Sequence, residues 1–158
     1  MAAAIVTETK RTLTIPRRRE YVGQVKGIVR LENALDKLGV APSDWGPATD
    51  RSIEVEVLFD TGATHLCPSA SIIARLRLPR VDTVVVQTAA GIGEAGKHSL
   101  CQVTLDGRSI TVNCLELPDS ARPLFGVWPM EEFGVAIDVK EQRYELLSDG
   151  DENTYLMA

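Results

Sequence analysis

The most informative segment of this sequence reads Ser52-Ile53-Glu54-Val55-Glu56-Val57-Leu58-Phe59-Asp60-Thr61-Gly62-Ala63-Thr64. Apolar residues at positions 53, 55, 57 and 59 alternate with mostly polar ones, which predicts a half-buried β-strand with one inward face. Asp60 directly follows this strand. Thr61 can brace the loop through its hydroxyl, and Gly62 lets neighbouring backbone approach the carboxylate because it has no Cβ.

The Asp-Thr-Gly triplet suggests a specific chemistry. Hydrolysis of a peptide bond without a metal or a covalent intermediate needs a base to activate water and an acid to protonate the departing amine. Two carboxyl groups about 3 Å apart can do both, because they cannot both ionise comfortably and so share one proton. The chain has no second Asp-[Ser/Thr]-Gly triplet, so the partner carboxyl would be Asp60 of another copy. We therefore expect a homodimer with a two-fold axis through the site.

Strand patterns dominate the rest of the chain. Residues 21–31 predict a first strand, and residues 81–88 predict another that leads into a glycine-rich tip over residues 89–96. Asp106-Gly107 is typical of a two-residue hairpin turn. A closing hairpin is expected near the end, so we predict a mainly β domain.

Two short helices are also predicted. The first follows the triplet, with Ser69 or Ser71 as its N-cap. The second follows Leu124-Phe125-Gly126, with Pro129 at its first position and Gly134 at its end.

In this order, these features resemble the retropepsin-like (retroviral-type, clan AA) aspartic protease family. The run Asp-Thr-Gly-Ala-Thr-His-Leu-Cys over residues 60–67 is similar to that of its small bacterial single-lobe members, and the resemblance covers about residues 21–147. It implies a closed or nearly closed acid-protease-type β-barrel with one or two short helices. It also implies an aspartic endopeptidase that acts on peptides or proteins as a homodimer.

The resemblance further implies roles for particular residues. The catalytic residues would be Asp60, Thr61 and Gly62. The residues that brace the active-site loop would be Ala63, Leu124, Phe125 and Gly126. The glycine-rich hairpin would be the flap, with Ala90, Gly91, Ile92 and Gly93 as its substrate-binding residues. No metal and no organic cofactor is expected.

Several alternatives stay open. The same fold without turnover would make a catalytically silent dimerisation or peptide-binding module. His65 could tune the carboxyl pair, contact substrate or simply pack beside the pair, and Trp128 is interpreted as a core residue and not as a platform for a ligand. His65, Cys67, His98 and Cys101 are of the types that bind metals, but they lack a repeated Cys-x-x-Cys spacing, and buried cysteine is usually a small hydrophobe.

Composition sets the remaining expectations. The formal net charge of −5 over 158 residues argues against nucleic acid and anionic membranes as partners. The start of the chain lacks the pattern of a secretory signal, and three cysteines without framework spacing favour reduced thiols, so a cytoplasmic location is expected. We predict a basic N-terminal arm over residues 1–19, a protease domain over residues 20–147 and an acidic tail over residues 148–158.

Overall fold

A computed structural model describes residues 24–147 of the chain. The predicted basic arm over residues 1–19 and the predicted acidic tail over residues 148–158 lie outside the described residues. Within the described part, no helix is long and apolar enough to cross a membrane.

The described residues form nine strands and three short α-helices. The strands are β1 Val25–Asn33, β2 Ser52–Phe59, β3 Leu66–Cys67, β4 Arg80–Thr88, β5 Gly91–Leu105, β6 Arg108–Leu115, β7 Leu124–Phe125, β8 Val135–Asp138 and β9 Arg143–Leu146. The helices are α1 Ala34–Lys37, α2 Ala70–Leu76 and α3 Val127–Phe133, and two 3₁₀ turns span Ser43–Trp45 and Ala48–Arg51.

Seven strands form one sheet in the order β1-β2-β7-β3-β6-β5-β4. Strand β1 also pairs with β5 in antiparallel register, from Arg30 opposite Thr104 to Asn33 opposite Cys101. This second pairing closes six of the strands into a ring and leaves β4 attached to β5 alone, while β8 and β9 form a separate hairpin. The prediction of a mainly β domain with few short helices is confirmed, and the sheet closes on itself.

The core lies inside this ring and depends on alternation along the strands. In β2, Val55, Val57 and Phe59 are buried whereas Glu54 and Glu56 are exposed, as the sequence pattern predicts. The ring of Phe59 packs edge-to-face on Phe125, with centroids 5.2 Å apart. Burial of these side chains fixes the register of β2 and therefore the position of the residue that follows it.

The three predicted hairpins form, but the glycines of the first lie elsewhere than expected. Strands β4 and β5 pair from Thr83 opposite Gly96 to Thr88 opposite Gly91, so the tip is the turn at residues 89–90 and the glycines lie within β5. The hydrogen-bonded pairing of β4 with β5 continues through this stretch, because glycine keeps the backbone N–H and C=O groups that the pairing uses. At the second hairpin, Asp106 and Gly107 have φ of 48° and 82°, as a two-residue turn of the primed type requires.

The helix starts also differ from the sequence prediction. Helix α2 has Ser69 at its N-cap, but no Ser69 side chain caps it; Asp119 Oδ1 instead accepts a hydrogen bond of 2.9 Å from the Ser71 N–H. Helix α3 begins at Val127, with Gly126 as N-cap, so Pro129 is its third residue and not its first. Backbone bonds to a distant loop start this helix earlier than its local sequence indicates.

The sequence predicts a loop with one helical turn over residues 33–50, and α1 supplies that turn. The end of the segment is held by Arg51, which is 3% exposed. Its guanidinium donates to both carboxylate oxygens of Asp36, at 2.7 and 2.6 Å, and also lies over the Trp45 ring. This segment is therefore anchored to the body by a bidentate ion pair.

Candidate active site

Asp60 is the first residue after β2, and it is half-buried. Its backbone N–H donates to the Phe125 carbonyl at 3.0 Å, and its carbonyl accepts from the Ala63 N–H at 3.1 Å. The Gly62 N–H donates to Asp60 Oδ1 at 2.8 Å. The backbone position of Asp60 is thus set by two bonds, and the orientation of its carboxylate by a third.

A glycine suits position 62 because little space is left for a side chain. A Cβ on Gly62 would lie 3.1 Å from Asp60 Oδ1, tighter than nine in ten real Cβ contacts, so the carboxylate would have to shift by a few tenths of an ångström. The Thr61 side chain is exposed and makes no hydrogen bond within the described residues. Within one chain, Gly62 therefore holds the carboxylate, and the hydroxyl of Thr61 stays available to another molecule.

The two-residue strand β7 lies between β2 and the strand that follows the loop. It runs parallel to β2, with Leu124 opposite Leu58 and Phe125 opposite Phe59. It also runs antiparallel to β3, with Phe125 opposite Leu66. Leu124 and Phe125 therefore join both ends of the loop that carries Asp60 through backbone pairing.

The start of helix α3 completes this support. The N–H groups of Gly126, Val127 and Trp128 donate to the carbonyls of His65, Ala63 and Thr64, at 3.1, 2.8 and 3.0 Å. These are amide groups that a helix start leaves without intrahelical partners, and the loop satisfies them. Because backbone atoms make these bonds, they could not be predicted from the side chains at positions 64 and 65.

Gly126 is the point of closest approach in this support. A Cβ there would lie 2.5 Å from the His65 carbonyl oxygen and 2.6 Å from that of Ala63. Both are backbone atoms that cannot turn away. The residues predicted to brace the loop, Ala63, Leu124, Phe125 and Gly126, are thus brought together around it.

The interpretation of Trp128 as a core residue is wrong, because its side chain is 59% exposed. Its ring packs against that of His65 at a tilt of 51°, with centroids 4.5 Å apart, and His65 Nδ1 lies 2.7 Å from Thr64 Oγ1. Desolvation, followed by the charge of Lys97, lowers the pKa of His65. The helix begins with its backbone against the loop, so the Trp128 side chain is directed outward over His65.

The predicted flap residues lie at and beside the tip of the β4–β5 hairpin. Ala90 is in the turn, and Gly91, Ile92 and Gly93 are exposed residues of β5. No hydrogen bond, ion pair or ring contact joins these four residues to Asp60 in the described part of the chain. In one chain, the hairpin and the Asp60 loop are therefore separate structures.

The cysteines are buried free thiols. Desolvation raises the pKa of Cys67 to about 12, and a hydrogen bond with Cys101 raises the pKa of Cys114. Such thiols stay protonated and behave as small apolar residues. Among residues 24–147, no group of three or more His, Cys, Asp and Glu side chains is arranged to hold a metal ion.

Comparison with known proteins identifies the family of this chain. A family model described as aspartyl protease matches residues 47–127, which include the Asp60 triplet and β7. Among solved structures, the chain is similar to the EIAV protease complexed with the inhibitor HBY-793, at 18% identity and a TM-score of 0.49, over 70% of this chain and 88% of that one. The comparison with curated protein sequences finds no match.

Proposed function

Because this chain belongs to the aspartyl protease family, we propose that it is an aspartic endopeptidase that is active as a homodimer. The observation that carries the proposal is the placement of Asp60. Its carboxylate stands half-exposed at the end of a buried strand, and Gly62 holds it at 2.8 Å. A polar group held so firmly at an accessible position is suited to catalysis.

One carboxylate is not enough for the reaction. The sequence has a single Asp-Thr-Gly triplet, so two copies must meet to bring two Asp60 side chains together. The exposed Thr61 hydroxyl has no hydrogen bond within the described chain and is available to a partner beside the dyad. A two-fold axis through the site makes the two subunits contribute identical groups.

The two carboxyl groups then divide the work. One is ionised and takes a proton from a water molecule as the water oxygen attacks the carbonyl carbon of the peptide. The other is protonated and donates to the carbonyl oxygen. The first carboxyl group then gives the proton that it took from water to the amide nitrogen. The C–N bond breaks, which releases the amine product, and the second product is a carboxylic acid.

The β4–β5 hairpin is proposed to close over the bound peptide. Beyond residue 96 toward the tip, β5 pairs only with β4, so the hairpin projects from the ring as a two-stranded arm. Ala90, Gly91, Ile92 and Gly93 would offer backbone groups to an extended peptide and exclude water from it.

The direct test compares the wild type with Asp60→Asn. Both proteins are checked for equal mass in solution by light scattering, and cleavage of a diverse peptide library is followed from about pH 4 to pH 7, where a carboxyl pair can share one proton. We expect cleavage by the wild type alone, insensitive to a metal chelator. Asn is nearly isosteric with Asp, so the loss reports on the carboxyl group and not on folding.

The contrary results separate the parts of this proposal. Equal cleavage by Asp60→Asn would remove Asp60 from the reaction. A wild type that cleaves as a strict monomer would remove the homodimer. A folded wild-type dimer that cleaves nothing at any pH would favour the silent peptide-binding module instead.

A further inference from the structure

A groove beside the active-site loop is not used by the proposed reaction. It has a volume of about 280 Å³, and its lining includes His65 of the loop, Asn113 of β6, and Trp128, Pro129 and Glu132 of α3. This volume lies just below the range of about 300 to 1,000 Å³ that is common for small-molecule sites. This Trp128 groove therefore has room for a single amino-acid side chain and not for a larger ligand.

Trp128 and Glu132 lie next to each other on helix α3. Their positions in the helix differ by four, so their side chains share one face of it. The Trp128 side chain is 59% exposed, and Glu132 is exposed as well. Among residues 24–147, no ion pair or side-chain hydrogen bond engages the Glu132 carboxylate. The groove thus presents an indole ring and an unpaired carboxylate side by side.

Trp45 shows how this protein pairs its other indole ring. The guanidinium groups of Arg51 and Arg77 lie over the Trp45 ring, with their central carbons 5.2 and 5.3 Å from its centroid. Both distances are within the ~6 Å at which a cation is attracted to an aromatic face. In the described part of the chain, the ring that packs against Trp128 is that of His65, and no cation lies over the indole. The Trp128 ring is therefore available to a cation from another molecule.

The charges around the groove favour a cation. Desolvation, followed by the charge of Lys97, lowers the pKa of His65 below its ordinary value of about 6.5, so this ring is neutral near pH 7. Lys97 itself is not among the residues that line the groove. Of the described side chains that do line it, Glu132 alone is charged near pH 7. The groove therefore has a net negative charge, which attracts a positively charged side chain.

The groove is close to the proposed catalytic carboxylate. The Phe125 carbonyl accepts the Asp60 N–H, and the chain from Phe125 to Trp128 spans at most about 11 Å. The Trp128 N–H also donates to the Thr64 carbonyl at 3.0 Å, so the start of the helix is attached to the loop. An extended peptide advances about 3.3 Å per residue. A substrate side chain about three residues from the cleaved bond therefore reaches the groove.

We propose that the Trp128 groove is a specificity subsite for an arginine side chain of the peptide substrate, whose guanidinium lies over Trp128 and bonds to Glu132. The guanidinium is planar, so it lies flat on an indole ring and offers a fork of N–H donors to a carboxylate. The inference rests on the proposed protease function, because it names a class of substrate for that site. The two-fold axis of the proposed homodimer gives two such grooves, one on each side of the cleaved bond.

Cleavage kinetics test the proposal. A peptide that the wild type cleaves is made with one arginine, placed in turn at the positions near the third residue from the cleaved bond. The same peptides are made with citrulline, whose urea group has the shape of a guanidinium but no charge. At the best position, kcat/KM should be about tenfold higher for arginine, the effect of one exposed cation–π contact and one exposed ion pair. Glu132→Gln should reduce this preference to about threefold, because only the contact with Trp128 remains.

Glu131→Gln is the matched control. It removes an exposed carboxylate from the same helix, but Glu131 does not line the groove. This variant should keep the wild-type preference for arginine. A wild type without that preference at any position, or an equal preference in Glu132→Gln, would overturn the proposal. Loss of the preference in Glu131→Gln would do so as well.

A binding measurement that needs no cleavage separates this inference from the protease proposal. The chain has two tryptophans, so NMR shows two indole N–H signals, which the Trp45→Phe variant assigns. Titration of Asp60→Asn with N-acetylarginine amide should move the Trp128 signal in a saturable way, whereas N-acetylcitrulline amide should not. Equal shifts with both compounds would contradict the proposal. A Trp128 response to arginine in a protein that cleaves no peptide would support the subsite and defeat only the protease activity.

Discussion

At the scale of single residues, the candidate site depends on two glycines with different tasks. Gly62 lets its own N–H reach the Asp60 carboxylate, and Gly126 lets helix α3 approach the loop backbone. Neither requirement comes from a positive φ; both come from the lack of space for a Cβ. The first bears directly on the carboxylate, and the second on the stability of the loop that holds it.

Gly126→Ala should destabilise the protein by about 3 kcal/mol, the upper range for inserting a methyl group into a packed position. The added Cβ would lie 2.5 to 2.7 Å from three backbone atoms of Ala63 and His65, so the loop must move. Urea unfolding followed by circular dichroism measures the change. Gly93→Ala is the matched control, because a Cβ there meets nothing within 4 Å. Equal stability of the two variants would contradict the close packing at Gly126.

Trp128→Ala should raise the pKa of His65 toward its ordinary value. Desolvation is the larger cause of the lowered pKa, and we expect the Trp128 ring, which packs against His65, to supply part of that desolvation. Lys97→Gln should raise it less, because the charge of Lys97 is the smaller cause. NMR titration of the His65 ring gives both values. A pKa that is unchanged by Trp128→Ala would mean that other groups desolvate the ring.

At the scale of elements, helix α2 starts with help from a residue far along the chain. Asp119 accepts a hydrogen bond from the Ser71 N–H, and this bond lowers the pKa of Asp119. The carboxylate thus takes the role that the sequence assigns to Ser69 or Ser71. A cap from so distant a residue cannot be predicted from the local sequence of the helix.

Asp119→Ala should therefore lower the free energy of unfolding near pH 7. Because the folded state depresses the pKa of Asp119, its contribution is complete above the ordinary carboxyl value of about 4 and is lost as the pH falls through the depressed value. The difference from wild type should shrink accordingly in acid, as measured by urea unfolding at several pH values.

The control for this measurement is Asp44→Ala, which removes an aspartate whose side chain makes no hydrogen bond in the described part of the chain. Asp44→Ala should change the free energy of unfolding little at every pH tested. A difference between Asp119→Ala and wild type that stays constant into strong acid would show that the charge of Asp119 is not what stabilises the helix.

At the scale of the whole molecule, the proposed homodimer makes a quantitative prediction for mixtures. If each active site needs one Asp60 from each chain, wild-type activity should follow the square of the wild-type fraction after random exchange of subunits. Equal amounts of wild type and Asp60→Asn, unfolded together and refolded, should therefore show about a quarter of the wild-type activity at equal total protein. A value of about half would indicate that each chain acts alone.

Glu54→Gln provides the matched control for the mixing experiment. Glu54 is exposed on β2 and points away from the core. Homodimers of the Glu54→Gln variant should therefore retain full activity. Mixtures of wild type with Glu54→Gln should then keep the activity of the wild type at every ratio. Loss of activity in these mixtures would show that refolding, and not the missing carboxyl group, caused the decline.

The sequence alone determined the parts of this protein that depend on neighbours along the chain. Alternation of apolar with mostly polar residues over residues 53–59 placed Asp60 at the end of a half-buried strand, and Asp106-Gly107 specified a hairpin whose φ values only such residues adopt easily. The order of the triplet, the hairpins and Leu124-Phe125-Gly126 pointed to the family that the comparison then showed. Local periodicity and turn chemistry are sufficient for these conclusions, because the preferences of a strand or a turn depend on residues that are close to one another in the sequence.

Only the tertiary structure decided which distant groups meet. The closure of the ring by β1 and β5, the cap on α2 from Asp119, the outward ring of Trp128 and the groove between β6 and α3 all join residues far apart in the sequence. The glycines of the first hairpin likewise became strand residues because β4 lies opposite them. Contacts of this kind arise from backbone pairing and packing between segments, and no single segment carries the information that specifies them.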